Sequence, residues 1–188
     1  MTDQPTTASP ETGSGWRRLD SRTLFQGHVL AFCQDRVQQP DGTPSTYEHV
    51  RMPDGARVVA LNDQGEVAVV EDGCYLQDRR TLQLPGGGVG PGESPPEAAA
   101  RECVEETGWV PAGLRPLTTF HPLPNSTTAT THIFLATGLR PGLAHRDPGE
   151  ANMSLRWIPL AAAVQLVRDG SITEAGSVIG LLLAAGGT

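Results

Sequence analysis

The apolar positions of this chain fall mostly in short bursts separated by turn residues, which predicts strands before helices. Residues 16 to 50 read as short strands, with "HVLAFCQDRV" and "STYEHVRM" flanking Pro40-Asp41-Gly42. That tripeptide favours a turn, because proline presets one backbone angle and glycine accepts the left-handed region, so a hairpin is expected. "ARVVALND" and "GEVAVVED" repeat the pattern around Asn62-Asp63-Gln64-Gly65. Their continuous Val, Ala and Leu content predicts a strand pair buried on both faces, where the core sheet begins. "TLQLP" is a further strand, and "LRPLTTFHPLP" and "THIFLATGL" are two more, with polar residues 125 to 131 between them. Residues 140 to 152 form a loop containing Pro and Gly, and "SLRWIPL" is a last strand. The helix "LAAAVQLVRDG", closed by Gly170, follows it. A final helix starts at Thr173, with Val178, Ile179, Leu182 and Leu183 on its apolar side. The irregular alternation predicts an α/β fold, a mixed sheet covered by helices, with no internal repeat.

One stretch departs from this pattern. "QLPGGGVGPGESPPEAAARECVEETGWVP", residues 83 to 111, is a glycine-rich loop followed by a charged helix. Ser94-Pro95-Pro96-Glu97 is a capping box with proline at the first helical position, where a missing donor is harmless. The helix is expected to run to Thr107 and to end at a left-handed Gly108. At 100° per residue, Ala100, Cys103, Val104 and Thr107 share one side and can face the core. Glu102, Glu105 and Glu106 fall within an arc of roughly 100° on another side. Like charges at this spacing repel, and Arg101, also spaced to pair with Glu97, offsets only part of that. The cluster therefore invites a divalent cation, Mg²⁺ or Mn²⁺, hard ions that take oxygen ligands and bridge to phosphates. The glycines then supply backbone able to approach both metal and phosphate. The alternative is a solvated charged face behind a flexible loop.

Composition narrows the partners. With 188 residues and 38% apolar content the chain has the size of a single domain. Its 21 acidic and 14 basic residues give a net charge of −7, which argues against charge-driven nucleic-acid or membrane binding. An anionic substrate would need cationic help. Cys33, Cys74 and Cys103 are too few and scattered for a disulfide framework, and read as buried thiols in a reducing compartment. Residues 1 to 15 lack the basic and apolar regions of an export signal and read as a disordered tail. Without an apolar run of membrane-spanning length, the protein is expected to be cytoplasmic.

The spacing Gly87, five residues, Glu93, seven residues, then Arg101-Glu102-Cys103-Val104-Glu105-Glu106-Thr107-Gly108-Trp109 fills every fixed position of a known motif. It resembles the signature of the Nudix hydrolases, with Cys103 as a small substitute at the first bulky apolar position. The likeness covers about residues 16 to 185 and is nearest to the ADP-ribose and nucleoside-diphosphate-sugar pyrophosphatases. Three features support that narrower likeness: "DRVQQPDGTPSTYEHVRMP", Pro124 sixteen residues after Gly108, and "VRDGSITEAGSVIGLLLA". The resemblance implies an α/β/α sandwich around a mixed sheet with an amino-terminal antiparallel strand extension. It also implies residues 16 to 52 as strands that form a homodimer, and 53 to 188 as the catalytic core. The implied chemistry is Mg²⁺- or Mn²⁺-dependent attack of water on a nucleoside diphosphate linked to a sugar, most plausibly ADP-ribose. By position, Glu102 and Glu106 are the principal metal ligands, with Glu93 and the Gly86 carbonyl beside them. Glu105 completes the acidic cluster and Arg101 orients the glutamates. Arg79 is the candidate contact to the diphosphate, with Gly87 and Pro124 also on the substrate side. Glu150, in "HRDPGEANM", is the candidate general base and Asp147 the fallback.

Several residues depart from that branch. Asp72-Gly73-Cys74 stands where Gln-Tyr-Arg is common, Ala129 where ADP-ribose enzymes often carry glutamate, and Asn125 replaces a glycine after Pro124. Tyr75 is a candidate to stack on a base or to pack in the core. His121 and His132 read as strand residues rather than catalysts, Trp109 and Trp157 as core, and Cys74 lacks a neighbouring base. Two other functions fit the same signature: hydrolysis of nucleoside triphosphates or other diphosphates, and nucleotide-sugar binding without cleavage.

Overall fold

The structure is a computed structural model that describes residues 13–145 and 148–187. It divides into two units, residues 13–53 with Leu123–Ala129, and Asp54–Pro122 with the chain from Thr130 onward. Residues 1–12 of the expected tail lie outside the described residues.

In the first unit, β1 (Arg17–Gln26), β2 (Ala31–Gln38) and β3 (Pro44–Arg51) form an antiparallel sheet in that order. Strict alternation drives β2: Ala31, Cys33, Asp35 and Val37 are buried while Phe32 and Arg36 face outward. The expected turn forms, with Gly42 at φ 87° and the Asp41 carboxylate accepting from the Thr43 N–H and hydroxyl. Segment 123–129 returns to this unit: the Tyr47 hydroxyl donates to the Asn125 carbonyl and the Val50 N–H to that of Ser126.

The second unit holds β4 (Gly55–Ala60), β5 (Glu66–Cys74), β6 (Arg79–Gln83), α1 (Pro95–Thr107), β7 (Trp109–Val110) and β8 (Gly113–Phe120). After these come β9 (Thr131–Thr137), β10 (Arg140–Pro141), β11 (Ser154–Pro159), α2 (Leu160–Arg168) and α3 (Ala175–Gly186). One sheet has the order β11-β5-β6, all antiparallel. A second is mixed, β4-β9-β8, with β4 parallel to β9 and β8 antiparallel to it, and β10 pairs antiparallel with β7 in a two-stranded sheet. Alternate residues of β4 point to opposite faces: Val58 packs with Ala98, Ala99 and Cys103 of α1, Val59 with Leu84, Ile133 and Leu181. Helix α1 thus covers one side and α2 with α3 the other, the α/β/α arrangement.

Three expectations are corrected. β4 and β5 do not form a hairpin ladder, since only a bridge between Leu61 and Val67 joins them. The Asn62 side chain accepts from the N–H groups of Gln64 and Glu66, using donors that a hairpin would pair across strands. The last helix begins at Ala175, not Thr173, because the Glu174 carboxylate caps the N–H groups of Gly176 and Ser177. Its buried face is Gly176, Ser177, Gly180, Leu181 and Ala184, while Leu182 and Leu183 are each 44% exposed. Small residues win that face because the helix lies close: a Cβ on Gly180 would stand 2.9 Å from Leu84 Cδ1. Of the three thiols, Cys33 and Cys103 are buried and Cys74 is half-buried.

Candidate active site

Helix α1 starts and stops as expected. Both the Ser94 N–H and hydroxyl donate to Glu97, and Gly108 closes the helix at φ 74°. Its orientation differs from the one periodicity suggests. The buried residues are Ala98, Ala99, Glu102, Cys103, Glu106 and Thr107, and Ala100 and Val104 are only half-buried. Two glutamates therefore lie on the inward face, with Glu102 8% and Glu106 3% exposed.

The glycine loop meets that face. The Gly86 N–H donates to Glu106 Oε2 at 3.2 Å. Gly86 has φ +150°, and a Cβ there would stand 2.1 Å from the Ala56 carbonyl oxygen. On Gly87 a Cβ would come within 2.3 Å of Glu102 Oε1. Gly86 requires glycine because backbone fills the space a side chain would need, whereas at Gly87 a side chain would displace the Glu102 carboxylate.

Arg101 gathers the remaining carboxylates. Its guanidinium donates to Glu93 at 2.9 and 3.1 Å, to Glu102 and Glu105 at 2.8 Å each, and to the Gly88 carbonyl at 2.9 Å. The expected pairing with Glu97 is not made, since Glu97 is held by Ser94. Hydrogen bonding to Arg101 lowers the Glu93 pKa, with the Gly90 N–H assisting. Burial raises that of Glu102 against the pull of Arg101. Burial, and next the charge of Glu102, push Glu106 up to about 8, although the Gly86 N–H and Arg57 oppose this.

Among the described residues no three His, Cys, Asp or Glu side chains are grouped so that they could hold a metal ion. Glu93, Glu102 and Glu105 are instead turned onto Arg101. The donor set nonetheless suits a hard divalent ion. It consists of oxygens, two of its carboxylates are buried with raised pKa values, and the glycine loop leaves backbone alone against them.

The other expected site residues are dispersed. Glu150 closes a short 3-10 turn, and its negative charge is among the influences that raise both Glu102 and Glu106. Asp147 lies outside the described residues. Arg79 donates to Gln77 and to the Thr173 hydroxyl. Pro124 belongs to the first unit, where it lines a cleft with Trp16, Asp35 and Tyr47. Tyr75 is 94% exposed, so core packing is excluded. Trp109 and Trp157 make an edge-to-face pair, and His132 lies between the hydroxyls of Thr119 and Thr130. Sequence reasoning missed Arg57, whose signal was a lone charge inside the apolar run "ARVVAL".

Residues 51–175 match the model of the NUDIX domain, and residues 16–50 that of the nucleoside diphosphate sugar hydrolase N-terminal domain. An ADP-ribose pyrophosphatase of Mycobacterium tuberculosis (strain ATCC 25618 / H37Rv) is 32% identical over 87% of this chain and 80% of its own. A CMP-5'-(N-acetyl-N-hydroxy-3-aminopropyl)phosphonate hydrolase of Streptomyces rubellomurinus (strain ATCC 31215) is 31% identical over 91% and 82%. The crystal structure of an ADP compounds hydrolase shares the fold with TM-score 0.79 and 22% identity, covering 99% of this chain and 95% of that one. With the signature filled, its glutamates and glycines joined on one helix and loop, and the domain match spanning most of the sequence, the chain belongs to the Nudix hydrolase family.

Proposed function

We propose that this protein is a metal-dependent pyrophosphohydrolase of nucleoside-diphosphate-linked sugars, converting ADP-ribose to AMP and ribose 5-phosphate in the cytoplasm. The observation that carries it is the pair of buried carboxylates, Glu102 and Glu106, set against a side-chain-free loop in a chain similar to an ADP-ribose pyrophosphatase.

Water attacks one phosphorus, a new P–O bond forms, and the bridging P–O bond breaks to release the second phosphate. Glu102, Glu106, Glu93 and the Gly86 carbonyl would hold Mg²⁺ or Mn²⁺. When bound, the ion neutralises phosphate charge and lowers the pKa of water. Arg101, donating to Glu93, Glu102 and Glu105, keeps these carboxylates oriented. Glu150 is the proposed general base, on a loop whose charge is felt by Glu102 and Glu106. Gly87 permits close approach of phosphate, and Arg79 and Pro124 are further proposed substrate contacts. Leu24, Phe25, Val29 and Leu30 are exposed in the first unit and support a homodimer through the amino-terminal strands. Light scattering reads the dimer mass, and a monomer would remove that part.

A second reading concerns the base. Asp72-Gly73-Cys74 and the similarity to a hydrolase of a CMP-linked phosphonate favour a nucleotide other than adenosine. A panel of ADP-ribose, ADP-glucose, GDP-mannose, UDP-glucose, CDP-ribitol, NADH and ATP, with Mg²⁺ or Mn²⁺, separates these. Turnover led by one diphosphate-linked sugar supports the proposal, whereas ATP outpacing all of them contradicts it.

A further inference from the structure

The positive charge nearest the acidic cluster is already committed. Arg101 is shared among Glu93, Glu102, Glu105 and the Gly88 carbonyl, and Arg80 is held by Glu71 and by the carbonyls of Glu71 and Asn152. Arg57 differs. It sits on β4 against the glycine loop, where a Cβ on Gly86 would fall 2.9 Å from both Arg57 Cα and Nη1. Its side chain is only 19% exposed, its Nε meets Glu174 Oε2 at 3.4 Å, and its charge is also felt by Glu106. Among the described residues its terminal nitrogens make no hydrogen bond.

Glu174 is a poor partner for those nitrogens, because its carboxylate already accepts from Gly176 N–H, Ser177 N–H and the Ser177 hydroxyl. Those nitrogens are not among the buried unpartnered polar atoms, so they reach solvent beside the loop and are open to an incoming anion. The planar fork of arginine matches two phosphate oxygens.

We propose that Arg57 is the diphosphate-binding cation of this site, presenting its terminal N–H groups to the phosphate oxygens that enter beside Gly86. The proposal rests on the pyrophosphohydrolase reading above and makes Arg57 a stronger contact than Arg79, which already donates to Gln77 and Thr173.

Calorimetric titration with α,β-methylene-ADP and Mg²⁺, alongside ADP-ribose kinetics, tests it. Arg57→Gln keeps the stem that lies against Gly176 and removes the charge. It is expected to weaken binding and raise KM by about tenfold or more, with kcat changed by less than about threefold. Arg57→Lys restores part of the affinity, and Glu174→Gln, which can still cap α3, gives a KM no higher than wild type. Wild-type affinity in Arg57→Gln, or a fall in kcat with KM unchanged, overturns the assignment while leaving the hydrolase reading intact. A wild-type protein that neither binds the analogue nor releases AMP removes both.

Discussion

The Gly86 N–H donates to Glu106 Oε2 at 3.2 Å, tying the loop to a carboxylate whose pKa is pushed up to about 8, chiefly by burial. An acid raised in the folded state binds its proton more tightly there than in the unfolded chain. Its effect on stability is therefore absent below the unfolded value near 4.5 and grows unfavourable as pH rises toward 8. Glu93, Glu97 and Glu174 are lowered, so their stabilisation is complete above that range and is lost only in acid. The metal-free protein is thus expected to lose up to a few kcal/mol between pH 5 and pH 8. Denaturant melts with chelator should show this loss, Glu106→Gln should flatten it, and Mg²⁺ should reverse most of it.

Gly87 and Gly86 predict different failures. A Cβ on Gly87 meets Glu102 Oε1 at 2.3 Å, the end of a side chain that can swing aside. Gly87→Ala is expected to stay folded and lose about tenfold or more in turnover through the displaced carboxylate. A Cβ on Gly86 meets the Ala56 carbonyl oxygen at 2.1 Å, which cannot yield without moving β4. Gly86→Ala should destabilise the fold by about 2 kcal/mol or more. Paired thermal melts and activity measurements distinguish the two patterns.

Arg101 is the counter-charge of Glu93, Glu102 and Glu105. Arg101→Gln is expected to cost the metal-free protein about 1–2 kcal/mol, a figure reduced because the arginine side chain remains 36% exposed. Saturating Mg²⁺ should recover much of this, since the ion supplies the missing charge. A loss equal with and without Mg²⁺ would mean that the carboxylates do not form the metal site.

The Ser177 hydroxyl accepts from the buried Leu84 N–H at 2.8 Å, the residue two before Gly86. Ser177→Ala leaves that donor unpaired and should destabilise the protein by about 1–3 kcal/mol in denaturant melts.

What the sequence made legible was local. The capping box at Ser94, the stop at Gly108 and the spacing of the glutamates need only neighbours in the chain, and all three survive in the structure. The buried face of α1 was not legible, because apolar periodicity favoured Ala100 and Val104 while the glycine loop turned Glu102 and Glu106 inward. Similarly, Leu182 and Leu183 look like core until the close approach of Gly180 to Leu84 selects the smaller face. Arg57 becomes visible only when β4, the glycine loop and the cap of α3 are brought together across more than a hundred residues of chain.

The central claim is tested most directly by AMP release from ADP-ribose in Mg²⁺, with wild type beside Glu106→Gln. The account predicts AMP and ribose 5-phosphate from the wild type and a loss of at least about 100-fold in kcat for the variant. Equal turnover by the two proteins, or no nucleoside monophosphate from ADP-ribose or any other diphosphate-linked sugar, would contradict it.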